Sequence, residues 1–132
     1  MTADALRRRR EAVVRKHMQS ENEQRFDDTL ATFAHPHYEL VANGEVYDGP
    51  DVPTYYRNSR ARVPDQRNEL IALHHTDDAV IVEFWLRGTP RGRPENFECR
   101  MTAFFFFDEG DGLTCERVYW DRRTIDDQLR TP

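Results

Sequence analysis

Residues Ala103–Phe107 read AFFFF, and few folds can accommodate them. They belong to a stretch of two-residue hydrophobic period, the mark of a strand whose side chains alternate between faces. Phenylalanine then falls on both faces. An antiparallel sheet usually leaves one face to water, whereas this strand needs cover on both. The same period defines strands at about 67–75, 79–87, 97–107 and 113–121, joined by tight connections at Thr76-Asp77-Asp78 and Asp108–Gly112. The first half of the chain is different. Residues 4–24 place Leu6, Val13, Val14 and Met18 roughly on one helical face. Phe26, Leu30 and Phe33 continue as a second helix until His35-Pro36-His37 stops it. Tyr38–Tyr47 reads as a strand pair or a bent strand around Asn43-Gly44. Gly49-Pro50-Asp51 opens a third helix with Asp51 as N-cap and an inward stripe of Val52, Tyr55/Tyr56, Ser59 and Val63. Thr124–Leu129 makes a last helical turn. Helices followed by an antiparallel meander give an α+β class. Three helices cover one side of such a sheet, so the other side is expected to meet a second copy in a homodimer.

The 132 residues suit one domain spanning 1–132. A net charge of −5 argues against nucleic acid as a partner. No apolar run approaches the ~18 residues of a membrane span, and MTADALRRRREAVV lacks the apolar stretch of a secretion signal. A cytoplasmic location is expected. The basic run Arg7–Lys16 is read as a solvated helix face, diluted by Glu11, Glu21 and Glu23. There is no phosphate loop, nucleotide fingerprint, nucleophile elbow or zinc motif. No cofactor and no metal are expected, and His35 and His37 are read as surface histidines.

Pairing across the last hairpin suggests where a pocket lies. If Phe107 faces Leu113, then Cys115 faces Phe105 and Cys99 faces Asp121. The two cysteines are then about 20 Å apart, beyond disulfide reach, and both are expected as thiols. In this register one face carries Cys99, Met101, Ala103 and Phe105 opposite Asp121, Tyr119, Arg117 and Cys115. Apolar groups with a few polar ones are how a small-molecule pocket is lined. Asp121 can abstract a proton next to a carbonyl, with Tyr119 donating to the enolate oxygen. It can equally cap the helix that follows or pair with Arg122 or Arg123. Cys99, Met101 and Arg117 would contact the ligand, joined by Trp85 from the mixed face Ile81, Glu83, Trp85, Arg87 and by Glu39 from the first strand. Val80, Val82, Phe84 and Leu86 form the opposite, purely apolar face. Glu83 is expected to pair with Arg87 or Arg100, and His74 and His75 to point to opposite sides of their strand.

Four segments carry a family resemblance: GEVYDG (Gly44–Gly49), VPDQRNEL (Val63–Leu70), VIVEFWLRGTPRG (Val80–Gly92) and RVYWDRRTIDDQL (Arg117–Leu129). In this order, over about residues 8–130, they resemble the SnoaL-like family of polyketide and ester cyclases within the nuclear transport factor 2-like superfamily. The resemblance implies a cone-shaped, curved antiparallel sheet wrapped on N-terminal helices around an apolar cavity, usually dimeric. It implies that Asp121 matches the acid/base of the cyclases, which need no cofactor. Some cyclases add a histidine on the neighbouring strand; here Asn96–Phe107 has none, and Cys99 and Met101 stand in that segment. Three readings follow: an acid/base enzyme acting on a small cyclic or polyketide-like carbonyl compound, a non-catalytic small-molecule-binding or accessory domain, and a hydrolase of an epoxide or ester using Glu39, Glu83 or Asp121 with Arg117.

Overall fold

The Thr2 hydroxyl accepts from the Ala5 amide at 3.1 Å and starts the first helix, α1 (Ala3–Asn22), in a computed structural model that describes residues 2–130. A left-handed residue, Gln24 (φ 56°), turns the chain into α2 (Phe26–Ala31). Two short strands follow, β1 (His37–Leu40) and β2 (Glu45–Asp48), joined through a 3-10 turn closed by Gly44 at φ 68°. The third helix, α3 (Asp51–Arg62), has Pro50 as its N-cap, so Asp51 sits in the first turn rather than capping it. Its carboxylate still meets the positive end of the helix. The meander is β3 (Arg67–His75), β4 (Ala79–Gly88), β5 (Phe97–Phe107) and β6 (Leu113–Tyr119), and α4 (Arg122–Gln128) ends the chain. Element types and order match the sequence expectation.

The six strands form one curved, open sheet in the order β2-β1-β6-β5-β4-β3. It is antiparallel throughout except at one joint: β1 runs parallel to β6, with Tyr38 beside Glu116 and Leu40 beside Val118. This joint makes the sheet mixed. The inner face carries Val80, Val82 and Phe84 on β4, and Cys99, Met101, Ala103, Phe105 and Phe107 on β5. Val14 and Met18 of α1 and Val52 and Tyr56 of α3 belong to the same buried cluster.

Three local features tie this layer together. Arg10 is 4% exposed, not solvated as expected of the basic run. Its guanidinium donates to the backbone carbonyls of Gly110, Asp77 and Asp108 at 2.8, 2.9 and 2.8 Å, tying α1 to both meander turns. Asp65 accepts from the Thr89 amide at 2.6 Å, so two of the family-like segments are in contact. Beside them a Cβ on Gly88 would lie 2.4 Å from Val63 Cγ1, which is why that position needs glycine.

The register of the last hairpin differs from the expected one. Phe107 does pair with Leu113, but Phe106 pairs with Cys115, leaving Thr114 as an extra residue. Beyond this bulge Phe105 faces Glu116 and Thr102 faces Tyr119. A one-residue shift exchanges the faces of a strand. Glu116 and Val118 therefore point inward, while Cys115, Arg117 and Tyr119 point outward. Among the described residues no helix is long and apolar enough to cross a membrane.

Candidate functional site

On α1, Val14, His17, Met18 and Glu21 recur at helical spacing and face the sheet. Two of the four are apolar and two are ionisable. His17 is fully buried, Glu21 is 8% exposed, and Glu116 arrives from β6 at 5% exposure. His17 Nε2 lies 2.8 Å from Glu21 and 2.9 Å from Glu116. Neither contact is aligned as a hydrogen bond; the ring edge faces both carboxylates as a close ion contact.

The rest of the ring is fixed. The Thr32 hydroxyl gives its proton to the Thr29 carbonyl at 2.6 Å, so it must accept from His17 Nδ1 at 2.9 Å. Phe33 and Phe105 make T-shaped contacts with it, their centroids 5.3 and 5.2 Å away. Arg60 of α3 reaches the second oxygen of Glu21 at 3.2 Å and holds the Ser59 hydroxyl at 3.1 Å. Removing a charge from water is costly unless it is paired, and here pairing decides each protonation state. Burial disfavours imidazolium, but Glu116 and Glu21 outweigh it and raise the His17 pKa to about 10. Burial also opposes ionisation of Glu21, yet His17 and Arg60 hold it below the usual carboxylate range. For Glu116 burial wins over the attraction of His17, and its pKa is raised.

These acids border a cavity of about 130 Å³ between the inner sheet face and the helices. Glu21 and Glu116 reach its wall together with Tyr38, Tyr55, Asn68 and Gln66, and the rest is mainly apolar, including Val82, Phe84, Met101, Phe105 and Trp120. Burial raises the pKa of Tyr38 well above the ordinary phenol range and that of Tyr55 to about 12. Both therefore remain neutral hydroxyl groups. With all four groups ionised, the charges of His17, Arg60, Glu21 and Glu116 cancel, and a proton taken up by Glu116 leaves one net positive charge beneath the cavity.

The residues expected at the site are divided by the sheet. Met101 lines the cavity, and Cys99 is buried on the same face one step along β5. Tyr119 and Arg117 are outside because of the bulge; Tyr119 is 40% exposed and packs on Phe104. Trp85 lies on the outer face of β4 beneath Arg87, since the apolar set Val82, Phe84 and Leu86 is the set that lines the cavity. Glu39 is on the outer face of β1, bound to Arg117 at 2.7 Å. Glu83 pairs with Arg100 at 3.6 Å and with His74 at 2.9 Å, while His75 turns the other way toward Glu11 of α1. Asp121 is exposed and N-caps α4, accepting from the Arg123 amide at 3.0 Å. It meets the cavity indirectly, through the helix it starts: Ile125 of α4 and the adjoining Trp120 form part of the wall. The Gln128 side chain secures that helix to β5, donating to the Glu98 carbonyl at 2.7 Å and accepting from the Glu98 amide at 2.8 Å.

Sequence reasoning missed His17, Glu21 and Glu116. The first two carried a readable signal, being ionisable residues four apart inside the buried stripe of α1. Glu116 carried none until the bulge was known.

The described architecture is shared widely. A family model for the SnoaL-like domain matches residues 14–116. A protein of ketosteroid isomerase-like fold from Catenulispora acidiphila, solved in complex with trimethylamine, superposes with a TM-score of 0.83 at 17% identity, covering 91% of this chain and 93% of that one. A nuclear transport factor 2-like protein from Burkholderia thailandensis gives 0.80 at 20% identity, with coverage of 92% and 98%. IdmH from Streptomyces antibioticus, described as a candidate polyketide cyclase, gives 0.77 at 17% identity, with coverage of 91% and 97%. No curated protein matches the sequence.

Proposed function

The chain belongs to the SnoaL-like domain family, and from that premise we propose that it is a cofactor-free acid/base enzyme of cyclase or isomerase type, acting in its inner cavity on a small apolar carbonyl compound. The observation that carries this reading is the burial of His17 between Glu21 and Glu116 at the wall of an apolar cavity. Glu116 is the proton-transfer group in this reading, the role that the family resemblance gave to Asp121. When its carboxylate takes a proton from the carbon next to the carbonyl, the cluster beneath becomes net positive as the substrate becomes an enolate. The developing anion then meets fixed charge at no reorganisation cost. Tyr38 and Tyr55 supply hydroxyl donors for the oxygen. His17 and Arg60 are positioning residues that hold the acids. A bound ligand is sealed in by Trp120 and Ile125.

The test is exchange of α-protons for solvent deuterium in a panel of small cyclic ketones, followed by NMR. The wild-type protein should accelerate exchange of at least one member, and Glu116→Gln should lose about 10²- to 10⁴-fold while still quenching Trp120 fluorescence on binding. Equal exchange in both proteins would remove Glu116 from the mechanism. Binding without exchange would favour a non-catalytic binding domain. That second reading is supported by the Catenulispora protein, whose structure holds a small molecule. Assembly as a homodimer through the outer sheet face is part of the proposal. It is supported by the apolar strip of Phe104, Phe106 and Tyr119 on that face, and a monomer in light scattering at micromolar concentration would overturn it.

A further inference from the structure

Opposite the cavity, β1 and β6 bring together three donors of different kinds. His37 and Glu39 are two apart on β1 and share its outer face. The parallel joint sets Tyr38 beside Glu116, which brings Cys115 level with His37. The nearest donor atoms of His37, Glu39 and Cys115 all lie within 4.8 Å of one another. His37 Nε2 is 2.9 Å from Glu39 Oε2, and Cys115 Sγ is 3.7 Å from the same oxygen. A tetrahedral ion with bonds of about 2.0–2.3 Å to nitrogen, oxygen and sulfur requires donor separations of roughly 3.3–3.7 Å, so small side-chain adjustments would suffice.

The surroundings are arranged for coordination. His37 Nδ1 lies 2.9 Å from Asp48 Oδ1, the carboxylate–imidazole contact that orients a metal-binding histidine and leaves Nε2 for the ion. Arg117 takes the other oxygen of Glu39, at 2.7 Å, and leaves Oε2 to the cluster. With Nδ1 donating to Asp48, the 2.9 Å contact between Nε2 and Glu39 is held by a proton, and a metal would take that proton's place once the donors part slightly. All three donors are half-buried, so an ion can reach them. We propose that His37, Glu39 and Cys115 form a binding site for a divalent transition metal of the zinc class, with Asp48 orienting the imidazole and water completing the tetrahedron.

Thiolate and carboxylate together balance the charge of the dication. Coordination by sulfur displaces the thiol proton, so affinity should rise with pH. The site is on the opposite face of β6 from Glu116 and does not depend on the proposed chemistry there.

The experiment is a titration of tag-free, chelator-treated full-length protein with Co²⁺ and then Zn²⁺. One equivalent of Co²⁺ should produce a thiolate-to-cobalt charge-transfer band that Zn²⁺ abolishes. Cys115→Ser should lose the band, Asp48→Asn should weaken binding about 10- to 100-fold, and Cys99→Ser should change neither. Absence of the band in wild-type protein, or its persistence in folded Cys115→Ser, would overturn the site and leave His37 as an imidazolium between two carboxylates. If Cys115→Ser does not fold, undiminished affinity in Asp48→Asn would have the same meaning.

Discussion

Glu116 and Arg117 are consecutive on β6, and each belongs to a cluster built from histidine, carboxylate and arginine. Inside, His17 meets Glu21 and Glu116, and Arg60 supports Glu21. Outside, His37 meets Glu39 and Asp48, and Arg117 supports Glu39. The separations are nearly equal, between 2.7 and 3.2 Å in both. What differs is water. The His17 side chain is 0% exposed and that of His37 is 26% exposed. Identical chemistry therefore has different consequences: the inner groups need one another to be charged at all, whereas each outer group can turn to solvent.

The largest effect that tests this contrast comes from removing each histidine. His17→Leu leaves two buried carboxylates without their shared cation and should cost about 3–5 kcal/mol of unfolding free energy. His37→Gln breaks half-exposed pairs and should stay within about 1 kcal/mol. Urea unfolding of the two variants reads the difference directly. Similar losses would mean that burial does not separate the clusters.

A smaller effect appears as a slope with pH. His17 has a folded pKa raised from 6.5 to about 10. A raised value means that the stabilisation is complete below the unfolded pKa and disappears as pH rises through the folded one. Unfolding free energy should thus fall from about pH 6.5 to pH 10, by at most about 1.4 kcal/mol per pH unit for one proton, and melting temperature should fall with it. Glu116, also raised, acts in the same direction from a lower pH; Glu21, lowered, acts only on the acid side. His37 is also raised, but its pairs are open to solvent. Added salt should therefore remove its share and leave that of His17. A slope that vanished in high salt would place the responsible groups outside.

The same two clusters explain what the sequence disclosed. The helices and strands were legible because their hydrophobic periods are long and uninterrupted, as from Ala79 to Gly88 and from Phe97 to Phe107. Of the residues expected to contact a ligand, Met101 reaches the cavity wall. The faces of β6 were not, because one bulged residue, Thr114, reverses every side chain after it and leaves no mark on the period. The β1–β6 joint was equally hidden, since residues 76 positions apart, such as Glu39 and Cys115, share no local pattern. His17 and Glu21 stood within the readable stripe of α1. A stripe is normally read for its apolar members, yet a histidine and a glutamate at that spacing bring buried charge into the core.

The smallest effect concerns Asp121, which lies between the two regions. As an N-cap it should contribute about 1 kcal/mol, and its loss should act locally. Asp121→Ala should fray α4, loosening Ile125 and Trp120 at the cavity wall, and amide exchange across residues 122–128 should quicken while β5 and β6 stay protected. Asp121→Asn keeps an oxygen able to accept from the Arg123 amide and should retain nearly all of this protection. An acid/base role for Asp121 reverses the ranking for turnover, because asparagine caps as well as aspartate but cannot accept the substrate proton. Exchange and turnover measured on the same two variants therefore distinguish the roles. If Asn preserves both, the carboxylate closes the cavity through α4 and the chemistry remains with Glu116; if Asn preserves protection but loses turnover, Asp121 reaches the substrate when α4 moves.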